Sequence, residues 1–438
     1  MKRFKVSEKK KLEELLRSRE AASYPAQEKV VREILEEVRA RGNSALFEYT
    51  ERFDGVRLSA ATVRVQEEEM AAAYRAIDPE LLRVIRRSAD NIRAFHEQHR
   101  LESWRSAPAE GVLLGQKVSP VSRAGVYVPG GKAAYPSTVL MDVIPAKVAG
   151  VPEICVTTPV DTSGNLNAAV LVAAKEAGAD VVYKVGGAQA IAALAYGTES
   201  IPRADKIVGP GNIYVALAKK MVFGAVGIDS VAGPSEILVL ADGTADPRFA
   251  AADLLSQAEH DELASAILVT TSEALAKSVE TEIGRFLAEL PRREIIERSL
   301  ENFGCILLAS DLEEAAEAVN AIAPEHLEIL TEDPEAILAK IRNAGAIFLG
   351  PYSCEPLGDY FAGPNHTLPT NGTARFFSPL TADDFVKRSS VIRYTREALA
   401  GAQEDIRRFA SAEGLSAHAN AIAVRFEEEQ QDQEQQER

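Results

Sequence analysis

Gly125-Val126-Tyr127-Val128-Pro129-Gly130-Gly131 decides how the rest of this chain reads. An apolar run followed at once by proline and two glycines describes a short buried strand ending in a tight turn. The pattern recurs at Ile154-Cys155-Val156-Thr157, at Val181-Val182-Tyr183 before Gly186-Gly187, and at Ile207-Val208 before Gly209-Pro210-Gly211-Asn212. Alanine-rich helical stretches at 165–177 and 188–196 separate these strands, at the spacing of βαβ units. A second series follows at Ile237–Leu240, Ala266–Val269, Cys305–Leu308 and Ala346–Leu349, again with helices between. Strands this apolar must be covered on both faces. The fold class is therefore α/β, with two open, mainly parallel Rossmann-like sheet domains. No glycine turn spells G-x-G-x-x-G, so the usual dinucleotide fingerprint is absent.

Outward from the sheets, residues 25–51 and 66–100 carry apolar positions at helical spacing, as in Val30, Val31, Ile34, Leu35 and Val38. After Leu380 the chain reads as charged helix to about Glu428, followed by a Glu/Gln/Asp-rich tail at 427–438 that reads as solvated. Helical N- and C-terminal extensions thus flank the sheets. The 438 residues suffice for two or three domains. A net charge of -16 argues against a nucleic-acid partner. No apolar run is long enough to span a bilayer, the first residues lack signal-peptide character, and Cys155, Cys305 and Cys354 are too few for a disulfide framework. A cytoplasmic location is expected.

Four of the six histidines fall in short polar clusters. They are Gln257-Ala-Glu-His260, Pro324-Glu325-His326, Gly358-Asp359 leading to Asn365-His366, and Glu413 leading to His418. Imidazole, carboxylate and amide are the groups that hold a divalent metal and move protons near neutral pH. Asp246 reads as the N-cap and Pro247 as the first residue of a helix placing Gln257 and His260 on one face. A polar helix face with a capping or core histidine explains that pair better on its own, glutamine being an uncommon zinc ligand. Glu325 and His326 follow Pro324, another helix or turn start, where two adjacent groups can serve one cavity, or Glu325 can simply offset a helix dipole. The stretch 350–370 reads as an irregular loop after a strand, a common place for catalytic residues.

The motifs Ser122–Gly131, Val185-Gly-Gly-Ala-Gln189, Val208-Gly-Pro-Gly-Asn212, Ala232-Gly-Pro-Ser-Glu236, Asp253–His260, Pro324-Glu-His326, Gly358-Asp-Tyr, Asn365-His366 and Glu413–His418 resemble the histidinol dehydrogenases. They stand in family order from about residue 25 to 425. The resemblance implies oxidation of L-histidinol to L-histidine through L-histidinaldehyde with two NAD+, in a zinc-dependent homodimer. Gln257, His260, Asp359 and His418 would hold one zinc per subunit, and Glu325 and His326 would be the acid/base pair. Ser235, His366 and Glu413 would contact substrate, together with Gln257, His260, His326, Asp359 and His418. Tyr127, Gln189 and Asn212 would contact NAD. Glu413 and His418 would come from the partner subunit. The implied domains are an N-terminal helical arm at 1–24, a catalytic domain at 25–123 and 236–380, an NAD-binding domain at 124–235, and a dimerisation segment at 381–438. Three alternatives are weighed against this. One is a related zinc/NAD dehydrogenase of the same fold acting on another small alcohol. Another is a thiol aldehyde dehydrogenase, for which only Cys354 could serve as nucleophile. The third is a non-catalytic, structural or regulatory descendant.

Overall fold

The structure, a computed structural model, describes residues 1–19, 24–98, 100–130 and 134–426. Gly131 and the acidic run 427–438 lie outside the described residues. The chain divides into one unit of residues 1–100 and 120–385 and a second of residues 101–119 and 386–438.

In chain order the strands are β1 (Lys2–Lys5), β2 (Trp104–Ala109), β3 (Val112–Pro120), β4 (Arg123–Tyr127), β5 (Glu153–Thr157), β6 (Val181–Tyr183), β7 (Lys206–Val208) and β8 (Gly227–Ile228). They continue as β9 (Glu236–Ala241), β10 (Ser265–Thr270), β11 (Cys305–Leu308), β12 (His326–Leu330), β13 (Ala346–Leu349) and β14 (Val386–Tyr394). A five-stranded sheet runs β6-β5-β4-β7-β8 and a six-stranded one β1-β11-β10-β9-β12-β13, all pairs parallel. Numbered by occurrence within each series, both run 3-2-1-4-5, and β1 is added outside β11. In each, the order reverses between the first and fourth strands, β4/β7 and β9/β12.

Alternation builds the cores. Ile237, Val239 and Ala241 of β9 enter one apolar cluster while Leu238 and Leu240 enter another, so both faces of the sheet are covered. Burying each such side chain contributes about 1.5–3 kcal/mol. The five-stranded sheet shares a third cluster with Val31, Ile34, Leu35 and Val38 of the helix Pro25–Arg41.

Several expectations are corrected. Glu325-His326 does not open a helix: a helix ends at Ile322, Ala323 adopts left-handed φ 51°, and His326 begins the buried strand β12. The first residues of the expected helical arm form β1, an edge strand whose Lys2 and Lys5 flank Arg3-Phe4. The region after Leu380 contains β14 ahead of its helices, and β14, β3 and β2 make a separate small sheet with β2 and β3 antiparallel. Within 350–370, Glu355–Tyr360 is a short helix.

Candidate active site

The side chains of interest gather at two sheet edges. At the carboxyl edge of the five-stranded sheet stand Tyr127, ending β4, Gln189 in the helix Gly187–Tyr196 after β6, and Asn212 after β7. The Gly187 amide donates to the Tyr127 hydroxyl at 3.1 Å, and burial pushes that phenol up to about 12. Gln189 is 1% exposed, with neither amide atom hydrogen-bonded. Asn212 Oδ1 accepts from the Tyr214 and Val215 amides at 3.0 and 3.3 Å, so it caps the helix Ile213–Val222 and leaves its amide nitrogen for a ligand. Two helix N-termini therefore point outward here, a setting that suits anionic groups.

The second set lies at the opposite, amino edge of the six-stranded sheet, where β9 begins with Glu236 and β12 with His326. The helix Pro247–Ala258 starts as expected, with Asp246 accepting from the Arg248 amide at 2.8 Å and Pro247 in its first turn. A crossover helix runs back along its sheet, so its C-terminal end returns Gln257 to the amino edge. His260 lies two residues past that helix end, not on it. Gln257 is fully buried and both its amide atoms lack a partner. His260 remains open to solvent on one side; desolvation on the other lowers its pKa despite the opposing charge of Asp359.

The backbone of one residue organises the centre of the site. The Glu236 amide donates to Glu325 Oε2 at 2.7 Å, and the Glu236 carbonyl accepts from His326 Nδ1 at 3.0 Å. A carbonyl can only accept, so Nδ1 carries the hydrogen and Nε2 is the ring nitrogen left for other chemistry. That Nε2 lies 3.5 Å from Asp359 Oδ1, an ion-pair distance without hydrogen-bond alignment. Burial pushes Glu325 up to about 8, against the attraction of His326. Burial opposes charge on His326, but Glu325 and Asp359 outweigh it and raise the ring to about 10. Burial likewise disfavours an ionised Asp359, yet the His326 contact and the His366 charge hold it below the usual carboxylate range.

Glu355, missed in the sequence, completes the cluster. Its ligand atoms and those of His326 and Asp359 lie within 4.8 Å of one another. Glu355 Oε2 accepts from the Ser256 hydroxyl at 3.1 Å, and burial beside Asp359 raises it to about 8. Its one sequence signal is spacing: Glu355 and Asp359 are four apart on one helix. Gly358 is required between them, because a Cβ there would meet Phe348 Cε1 at 2.7 Å. A buried excess of carboxylate beside an unpartnered amide fits a divalent cation.

His366 is placed differently from the others. Its Nδ1 donates to the Asp359 carbonyl at 3.1 Å, and Nε2 faces the Thr138 hydroxyl at 3.3 Å. Asn365 donates to the Met141 carbonyl at 2.6 Å and Thr367 to Asp142 Oδ1 at 2.7 Å. Three consecutive residues thus fasten to the helix Pro136–Val148, and both ring nitrogens of His366 are engaged. Ser235 is half-buried just before β9, its carbonyl accepting from the Ser265 amide at 2.9 Å. Glu413 and His418 belong to the second unit, both exposed around the junction of the helices Arg396–Ala412 and Ser416–Ala423. Cys155 and Cys305 are buried in strands with thiols pushed up to about 12 by desolvation, and Cys354 precedes the 355–360 helix.

Comparison with known proteins adds three findings. The family described as histidinol dehydrogenase matches residues 17–426. The curated histidinol dehydrogenase of Halalkalibacterium halodurans is 58% identical over 403 residues, 92% of this chain and 95% of the relative. That of Bacillus subtilis is 57% identical over 399 residues, 91% and 93% of the two chains. The crystal structure of histidinol dehydrogenase from Elizabethkingia anophelis matches with a TM-score of 0.92 at 38% identity, covering 98% of both chains.

Proposed function

The chain belongs to the histidinol dehydrogenase family, and on that premise we propose how its residues carry out the oxidation. As a member it is an NAD-dependent oxidoreductase of histidine biosynthesis whose substrate is the small molecule histidinol. In our reading L-histidinol becomes L-histidinaldehyde and then L-histidine, with two NAD+ consumed. Residues 124–235 would bind NAD through Tyr127, Gln189 and Asn212. Gln257, His260 and Asp359 of one subunit, with His418 of a second, would hold one Zn2+. When bound, zinc supplies a Lewis-acid template for the substrate's nitrogens, and NAD accepts hydride.

The chain's own groups then handle protons. With the Asp359 carboxylate engaged as a metal ligand, and so no longer holding the ring protonated, His326 Nε2 would take the alcohol proton in the first oxidation, its Nδ1–H anchored on Glu236. The Glu325 carboxyl, raised by burial into the neutral range, removes a proton from the water that adds to the aldehyde. His326 serves again when the hydrate is oxidised to the carboxylic acid. Ser235 and Glu413 would orient the substrate. His366, with both nitrogens occupied, supports this role less directly, by holding the Asp359 backbone. Glu413 and His418 are exposed on the second unit, as residues offered to another copy would be.

The observation that carries the reading is the Glu236 backbone, whose N–H and C=O hold the two groups that must act in sequence. The test is a count of NADH per histidinol consumed, alongside zinc per subunit. Two NADH and one zinc are expected; a single NADH with aldehyde accumulating would sink the two-step scheme.

A further inference from the structure

Behind the Glu325–His326 pair lies a second buried pair that the reaction scheme leaves unused. Arg19 and Glu236 are 7% and 3% exposed. Arg19 Nε donates to Glu236 Oε1 at 3.0 Å and Nη2 to Oε2 at 2.7 Å, a two-point fork. The remaining nitrogen, Nη1, donates to the Ile322 carbonyl at 2.8 Å. The fork thus grips the residue whose backbone N–H and C=O hold both catalytic groups. The third bond grips the last helical residue before Ala323-Pro324-Glu325. That turn needs support from outside, since Ala323 adopts a left-handed backbone that side chains with a Cβ avoid.

Burying two opposite charges is weak evidence for stability, because desolvation offsets most of their attraction. What the pair does supply is geometry. We propose that Arg19 is a positioning residue for catalysis. One guanidinium spans the start of β9 and the end of the Leu312–Ile322 helix, fixing the separation between the Glu236 amide and the turn that presents Glu325. The inference rests on the acid/base roles given above to Glu325 and His326. Lysine cannot substitute, since an ammonium lacks the planar fork that meets both carboxylate oxygens while reaching a third acceptor. Arg375 donates to the neighbouring Ala321 carbonyl, so the helix end keeps one anchor when Arg19 is lost.

Arg19 also lines a cavity of about 450 Å³ with Lys2, Arg3, Lys11, Ser265 and Cys305, which gives a small cation a route to its place. The experiment compares Arg19→Ala and Arg19→Lys in the full enzyme, with and without millimolar methylguanidinium. Arg19→Ala should lose roughly 10²-fold in kcat, as ångström-scale misplacement does, with zinc content and the KM for histidinol near wild type. Methylguanidinium should restore most of that loss. Arg19→Lys should fold with the wild-type thermal midpoint yet remain slow. Unchanged kcat in both variants, or a loss that tracks thermal midpoint and resists rescue, would overturn the proposal. Glu325→Gln and His326→Asn are measured alongside. If those two keep wild-type kcat, the acid/base reading falls and the role of Arg19 with it. If they are slow while both Arg19 variants are fast, only the role of Arg19 falls.

Discussion

Two parallel sheets in this protein share one strand order and place their functional groups on opposite edges. Tyr127, Gln189 and Asn212 stand where strands end and helices begin; Glu325, His326 and Gln257 stand where strands begin and a helix ends. Both sets adjoin the reversal in strand order, β4/β7 in one sheet and β9/β12 in the other. The edges differ in backbone polarity. Helix N-termini offer N–H groups and partial positive charge, which suit a cofactor's phosphates. Helix C-termini offer carbonyls and partial negative charge, which suit a cation and a protonated imidazole. The His326 ring finds its hydrogen-bond acceptor at the same edge, in the carbonyl of Glu236 at the start of β9. One topology thus supplies an anion edge and a cation edge, and the sites proposed above take one from each sheet.

Lesions at the two edges should therefore fail in different ways. The largest effect is expected from His326→Asn, which removes the base and should lower kcat by about 10²–10⁴-fold with NAD affinity intact. Steady-state kinetics with NAD varied checks this; a rise in the KM for NAD instead would break the division of labour. Gln189→Ala should do the reverse, raising the KM for NAD by about 3–10-fold, as befits one hydrogen bond, and sparing kcat at saturation.

Asp142 tests the ground between the edges. Its carboxyl is buried, accepts from Thr367, and is raised to about 8 by desolvation. The folded form keeps this proton while the unfolded chain releases it near pH 4. The group therefore costs stability progressively as pH rises from about 4 to about 8. Asp142→Asn should flatten that part of the pH dependence of the thermal midpoint; an unaltered slope would remove Asp142 from the account. The smallest effect is expected from Cys354→Ala, which should leave turnover unchanged. Near-complete loss there would restore the thiol mechanism.

Much of this comparison was legible in the sequence, for a physical reason. Strands covered on both faces must be uniformly apolar, so Ile237–Leu240 and Ala266–Val269 announce themselves. β12 escaped notice because Glu325, His326 and Glu328 interrupt its apolar run, and Glu328 is fully buried beside the Glu355 amide, a contact that exists only after folding. β2 and β14 escaped because they are mostly exposed and carry no alternation of apolar and polar residues. Three of the four histidine clusters marked the candidate site, since imidazole is rare in this chain, while Glu413 and His418 lie in the second unit. Arg19, Glu236 and Glu355 could not be marked that way, because arginine and glutamate are common and Arg19 meets Glu236 across 217 residues. Nor could spacing reveal that both ring nitrogens of His366 are already engaged.

Strand β1 has a consequence for the order in which the molecule is made. Lys2 pairs with Cys305, so β1 leaves the ribosome well before its partner strand, three hundred residues downstream. At the usual pace of synthesis that delay is roughly 15–60 s. The five-stranded sheet, complete by Ile228, can form during that interval, whereas the six-stranded sheet then lacks β11, β12 and β13. Biogenesis of the amino-edge cluster is thereby placed late, and a nascent chain halted before residue 305 would hold the five-stranded sheet complete and only the β1, β9 and β10 segments of the other.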